Sequence, residues 1–179
     1  MIKSFIIYLK KKQILYYGML ATNCIENIQL RAIAKLLFSS GLAIDEIKCL
    51  KWKKLTIIKN VLLINNKEQT RVAIASDYFV EDLLKLKHNN KNVFSSYANS
   101  EEKTIIEDIN KELEIHSNEL HLDMKLNCEW LQKNFKNTIY IPKTSKQYFE
   151  KHILNKELIH ENNIDNEKFN AILEIKSLI

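Results

Sequence analysis

Apolar residues recur at helical spacing before the glycine at position 41, and again directly after it. The first run predicts a helix that ends at Gly41, because glycine readily adopts the positive φ found at helix C-termini. Its apolar positions are Leu30, Ile33, Ala34 and Leu37. A second helix is predicted to begin at once, since Asp45 and Glu46 place negative charge in a first turn. Its apolar positions are Ile44, Ile47 and Leu50. Two helices therefore meet at a tight corner.

Short β-branched runs follow this corner. They predict strands over 56–58, 61–64 and 71–75, with a turn at 65–68. Strands so close along the chain pair as a small antiparallel sheet. The expected fold class is α+β, mostly helical, with one three-stranded antiparallel sheet.

The rest of the chain is mostly helical in pattern. A helix is predicted from Ser76 or Asp77, either of which can cap it, to Lys87. Amphipathic spacing predicts a helix over 100–115 and a later one that carries Leu126, Trp130, Leu131 and Phe135. The residues that follow this last helix predict a loop or an extra strand.

Length and cysteine usage restrict the class of protein. A chain of 179 residues predicts one domain over 1–179. The apolar run at the start is too short to span a bilayer and its lysines follow it, so neither a membrane span nor a signal peptide is predicted. Three widely spaced cysteines predict no disulfide framework and no metal site, which suits the cytoplasm. No cofactor is expected.

Positive charge is concentrated in the first part of the chain. The net charge is +5, but residues 1–75 hold 13 lysines and arginines against 4 acids. A basic surface favours phosphate, although an AT-rich coding sequence would also enrich lysine, asparagine and isoleucine. Four lysines cluster just after the corner: Lys48, Lys51, Lys53 and Lys54.

The corner resembles the one in the catalytic domain of the tyrosine recombinase, or phage integrase, family. The matching residues are Gly41–Ile47 and Leu50–Trp52, and the resemblance is clearest over 27–135. In that family the residue after Gly-Leu is a catalytic arginine that clamps the scissile phosphate, and here it is Ala43. The resemblance also implies that the helical DNA-clamping domain, which normally precedes the catalytic one, is absent.

Later landmarks of the family are matched in part. Lys67 stands at the hairpin turn, where the family has the lysine that protonates the leaving hydroxyl, and Arg71 matches the arginine that follows it. The family's late helix begins His-x-Leu-Arg, and here Leu122 replaces the histidine and Lys125 the arginine. His121 lies one residue out of register and is interpreted as an ordinary, partly exposed histidine.

Two registers remain open for the C-terminal part. One aligns Leu158–His160 with the family's Leu-Gly-His, which makes His160 the family histidine and places Phe169 at the tyrosine nucleophile. The other places Tyr148 at the histidine position and Glu157 at the nucleophile. Neither register supplies a nucleophilic tyrosine.

The missing groups bear directly on activity. Tyrosine-mediated cleavage needs a nucleophilic phenol and positioned cations that stabilise the charge on the phosphate. Arginine binds two phosphate oxygens at once, which lysine does not reproduce. The chain has two arginines, Arg31 and Arg71, neither of them at a clamp position. The resemblance therefore implies a protein that binds DNA, or an active recombinase, without cutting strands. The expected DNA contacts, mainly to phosphate, are Lys48, Lys51, Lys53, Lys54, Lys67, Arg71 and Lys125.

Two alternatives stay open. The chain can be an enzyme with a relocated active site that uses Lys125, His160 or Tyr148, or a decayed remnant of a mobile element. The tail over 167–179 predicts a helix with an apolar stripe, which must be buried. We expect it to pack on its own domain in a monomer, and exchange between subunits is the alternative.

Overall fold

The computed structural model describes residues 2–66, 69–87, 90–122, 124–160 and 166–177. The helices are α1 (Ile2–Cys24), α2 (Ile28–Ser40), α3 (Ile44–Lys48), α4 (Asp77–Lys85), α5 (Glu102–Glu119), α6 (Cys128–Asn134), α7 (Lys146–Tyr148) and α8 (Asn166–Leu173). Helix α7 continues as a π-helical segment over Phe149–Leu154. The strands are β1 (Leu55–Ile58), β2 (Val61–Asn66), β3 (Gln69–Ile74), β4 (Ile139–Tyr140), β5 (Ile159–His160) and β6 (Lys176–Ser177).

The predicted corner between α2 and α3 is confirmed. Asn27 caps α2 by accepting hydrogen bonds from two backbone N–H groups of its first turn. Gly41 ends the helix with φ +69°, and a Cβ at this position would lie 2.8 Å from the Phe135 ring. Both backbone angle and space therefore require glycine here. In α3 the Glu46 side chain turns back to accept from the Ala43 N–H at 2.9 Å, which fixes the first turn.

The predicted three-stranded antiparallel sheet is also confirmed. Strands β1, β2 and β3 pair in sequence order, with Leu55 opposite Ile64 and Val61 opposite Ile74. The short strand β5 adds to the free edge of β3, where Thr70 lies opposite Ile159. The sequence did not predict this fourth strand, which brings the C-terminal part of the chain beside the first half.

The predicted start of the late helix is wrong. Helix α6 begins at Cys128, because Asn127 accepts from the Trp130 N–H at 2.8 Å and so caps the helix at that point. Leu122 and Lys125 therefore lie in the connection between α5 and α6, ahead of the helix.

The helix predicted over 167–179 is present only in the first half of that range. Helix α8 ends at Leu173, and the chain then forms β6, which pairs with β4. The sequence predicted either a loop or an extra strand after the late helix, and β4 is that strand. Ile172 and Ile175 are buried within the same chain, while residues 178 and 179 lie outside the described residues.

Two hydrophobic clusters cover opposite faces of the sheet. The strands alternate between them: Leu62 and Ala73 belong to the larger cluster around α2, and Val61, Val72 and Ile74 to the smaller one. The smaller cluster is completed by C-terminal residues, namely Ile139, Phe149, Ile153, Ile159, Ile172 and Ile175. The sheet thus lies between the helical core and the C-terminal segment. Among the helices described, none is both long and apolar enough to cross a bilayer.

Candidate functional site

A three-residue ion network links the corner, the sheet and the C-terminal segment. Arg71 Nε lies 3.1 Å from Glu46 Oε1, and Lys156 Nζ lies 2.8 Å from Glu46 Oε2. Arg71 also donates from Nη1 to the carbonyls of Val72 and His152, the latter at 2.7 Å. The Arg71 side chain is 6% exposed. It is therefore a buried cation whose charge is balanced mainly by Glu46.

The environment of Glu46 keeps this carboxyl ionised. Burial alone would raise its pKa, but the hydrogen bonds from the Ala43 N–H and from Lys156, and the charge of Arg71, together lower the pKa below its ordinary value. At neutral pH the network therefore holds two cations and one carboxylate.

A cavity of about 510 Å³ opens beside this network, and we call it the lysine pocket. Three lysines of the predicted cluster line it: Lys48, Lys51 and Lys54. Arg71 and Glu46 form part of its wall, together with Asn92, Asn99 and Leu158. Lys51 is exposed, and Lys48 Nζ donates to the Ser100 carbonyl at 3.0 Å. The lining carries four cations against one carboxylate, so its charge is positive.

Backbone hydrogen bonds hold the walls of the lysine pocket in place. The Trp52 N–H donates to the Lys91 carbonyl at 3.1 Å, and the Val93 N–H donates to the Leu50 carbonyl at 2.9 Å. Lys51 and Asn92 face each other as an isolated antiparallel bridge between these bonds. The turn that carries the lysines is thereby joined to the loop opposite it.

The positions that the resemblance would bring together line different cavities. Ala43 lines a small cavity of about 120 Å³ with Lys156 and Phe135. Leu122 and Lys125 line another of about 320 Å³ against the end of α5. These two cavities have no lining residue in common with each other or with the lysine pocket. Lys67 lies outside the described residues, and Lys53 is exposed but does not line the lysine pocket.

The two C-terminal registers can be placed as well. Leu158 lines the lysine pocket, and His160 pairs with Gln69 in β5, so that segment runs along the edge of the sheet. Phe169 is half-buried in α8, whereas Tyr148 packs against the smaller hydrophobic cluster. Glu157 is exposed and pairs with Lys151 at 3.3 Å. Neither Phe169 nor Tyr148 is among the residues that line the lysine pocket.

Comparison with known proteins supports the fold. The chain is similar to the XerA recombinase, a tyrosine recombinase, in its crystal structure, with a TM-score of 0.52 and 15% sequence identity. The match covers 87% of this chain and 51% of that one, so this chain spans about half of the XerA chain. No protein-family model and no curated protein matches the sequence. The chain therefore has a tyrosine recombinase-like fold.

Sequence reasoning missed several residues of the site. Lys156 lies 110 positions from the carboxylate that it contacts, and no local pattern marks it. Asn92 and Asn99 stand in a polar loop, where asparagine is common for turn formation alone. Within the described part of the chain, no group of His, Cys, Asp and Glu side chains is arranged to hold a metal ion.

Proposed function

We propose that this protein is a recombinase-like DNA-binding protein that holds duplex DNA through its phosphates and does not cut it. The observation that carries the proposal is the convergence of Lys48, Lys51 and Lys54 on one concave surface beside the corner. The exposed side chain of Lys53 extends the same basic surface. Clustered lysines release counterions from DNA and so bind it without sequence preference.

The lack of cleavage in this proposal rests on the side chains present. Ala43 offers a methyl group where cleavage needs a clamping arginine, and Lys125 lines a different cavity from Ala43. Removing a single aimed donor commonly reduces the rate by about 10² to 10³. The two clamping arginines are absent, and no tyrosine stands at the family's nucleophile position. No side chain at that position can therefore form the covalent intermediate.

Binding can be tested by titrating a labelled duplex with the protein at several salt concentrations. If about four phosphates are neutralised, log K should fall against log salt with a slope near −3.6. Lys51→Glu, Lys53→Glu and Lys54→Glu together should abolish binding. A matched variant changes the same amount of charge at exposed lysines elsewhere, Lys103, Lys133 and Lys146, and should bind far better than the first. Equal loss in both variants would show a general charge effect and contradict the proposal.

Strand cleavage is tested separately. Supercoiled plasmid and suicide half-sites should remain unchanged after incubation with the protein. A covalent protein–DNA adduct that disappears in Tyr148→Phe would instead establish the enzyme with a relocated active site.

A further inference from the structure

The lysine pocket is larger than a backbone phosphate requires. Its volume is about 510 Å³, and pockets that enclose small organic ligands start at about 300 Å³. An internal phosphate of a duplex carries a sugar on each side, which keeps it at the protein surface. The pocket therefore has room for a group that a duplex backbone does not supply.

The charges around the pocket favour the binding of a phosphate. The one lining carboxylate, Glu46, is already engaged by Arg71 and Lys156, whereas Lys51 is exposed at the pocket. Arg71 adds an unusual feature, because its Nη2 is buried and has no hydrogen-bond partner among the described residues. The pocket is therefore suited to an anion.

The remaining walls of the pocket are suited to the body of a larger ligand. Ile64 and Leu158 provide apolar surface, and Leu158 is 44% exposed. Asn92 and Asn99 add two carboxamides, each able to donate and to accept hydrogen bonds. Apolar walls with a few amides suit a flat heterocycle joined to a polar sugar.

We infer that the lysine pocket binds a nucleoside phosphate, with the phosphate held by the lysines and the nucleoside against Leu158 and the two asparagines. The ligand is either a free mononucleotide or the terminal nucleotide of a DNA strand, since both present a phosphate with only one sugar attached. This inference goes beyond duplex binding and does not depend on it.

The test is calorimetric titration of the full chain with dAMP, deoxyadenosine, inorganic phosphate, and one single-stranded oligonucleotide with and without a 5′-phosphate. We expect dAMP to bind at least about tenfold more tightly than deoxyadenosine or phosphate alone, because each charged hydrogen bond and each apolar contact adds separately. Lys51→Gln should weaken the phosphate-bearing ligands about tenfold, and Leu158→Ala should weaken dAMP but not inorganic phosphate. Lys103→Gln is the matched control: it removes an exposed lysine that neither lines the pocket nor belongs to the proposed DNA contacts, and it should leave dAMP affinity unchanged.

The two sources of the ligand are distinguished in the same experiment. Tighter binding of dAMP than of the 5′-phosphorylated oligonucleotide identifies a free nucleotide, and the reverse order identifies a strand end. Equal affinity for phosphorylated and unphosphorylated ligands, or binding of inorganic phosphate as tight as that of dAMP, would overturn the inference. Salt-dependent duplex binding that persists in either of those cases would leave the proposed function standing.

Discussion

Arg71 Nε lies 3.1 Å from Glu46 Oε1, and this ion pair joins the middle of the sheet to the first turn of α3. The two side chains are 6% and 27% exposed, so the arginine is buried and the carboxylate reaches the wall of the lysine pocket. The same carboxylate accepts from the Ala43 N–H and holds Lys156 of the C-terminal segment. One acidic side chain thus connects three parts of the chain.

We predict that Glu46→Gln destabilises the protein. The change leaves the buried Arg71 without a counter-charge and weakens the contact with Lys156, which should reduce the free energy of unfolding by about 1–3 kcal/mol. Urea denaturation followed by circular dichroism measures this. The control is Glu129→Gln, which breaks an exposed pair with Lys133 and should leave stability almost unchanged. Similar losses in the two variants would show that the Glu46 network is not stabilising.

A second prediction concerns acid stability and rests on Asp82. This carboxylate is 4% exposed and binds Arg31 at 3.0 Å and Lys35 at 2.7 Å. Burial acts to raise its pKa, but these hydrogen bonds and charges lower the pKa below its ordinary value of 3.8. Because the pKa is lower in the folded state, the stabilisation is present above the unfolded-state pKa and is lost as the pH falls through the folded-state value.

The measurement compares wild type and Asp82→Asn in urea at pH 7, 5 and 3. At pH 7 the variant should be less stable by about 3–5 kcal/mol, since the charge that pairs with Arg31 and Lys35 in a buried position is lost. The difference should shrink below about pH 4, where the Asp82 carboxyl takes up a proton in the unfolded chain before it does so in the folded protein. A difference that is the same at pH 7, 5 and 3 would contradict the direction of this pKa shift.

The sequence predicts those parts of the fold that depend on neighbours along the chain. Gly41 ends a helix because of its own φ, and the strands up to Ile74 pair through tight turns, so both are visible as local patterns. The start of α6 is also visible as a local pattern. Asn127 is a common helix-capping residue, and Glu129 places negative charge in the first turn that follows it.

The rest depends on contacts between distant segments. Strands β5 and β6 are two residues long and form only because an edge of the sheet and β4 are available to pair with them. Lys156 adopts φ +57°, which no local preference favours for lysine, and it is held where its side chain reaches Glu46. The lysine cluster was predictable from the sequence, whereas the pocket that it lines is formed by five separate segments.

The third prediction tests the corner itself. Gly41→Ala should lower stability by about 1–2 kcal/mol from the positive φ alone, and by more because the new Cβ would meet the Phe135 ring. In the background of Phe135→Leu the steric part should be relieved, so Gly41→Ala should then cost only the backbone part. Thermal unfolding of the four proteins gives both contributions. An equal cost in the two backgrounds would show that Phe135 does not limit the space at Gly41.

The fourth prediction is that restoring the family's side chains does not restore cleavage. A variant with Ala43→Arg, Leu122→His, Lys125→Arg and Phe169→Tyr should give no covalent adduct on suicide half-sites. The reason is that Ala43 lines a different cavity from Leu122 and Lys125, while Phe169 lies in α8, so we do not expect the restored side chains to act on one phosphate. Retained duplex binding would confirm that the variant is folded, and an adduct would show that the positions converge when DNA is bound.

The last prediction concerns the tail, which the structure folds back on its own domain. Ile175 is fully buried in the smaller hydrophobic cluster, and its carbonyl accepts from Asn60 Nδ2 at 3.2 Å. Ile175→Ala should reduce the free energy of unfolding by about 2–5 kcal/mol, as for other buried isoleucines. Lys176→Ala changes the next residue, which is exposed, and should have little effect. Light scattering on both variants, and on a chain shortened by residues 174–179, should give the mass of one chain throughout. A wild-type dimer that becomes a stable monomer on shortening would instead show that the tail packs on a neighbouring subunit in solution.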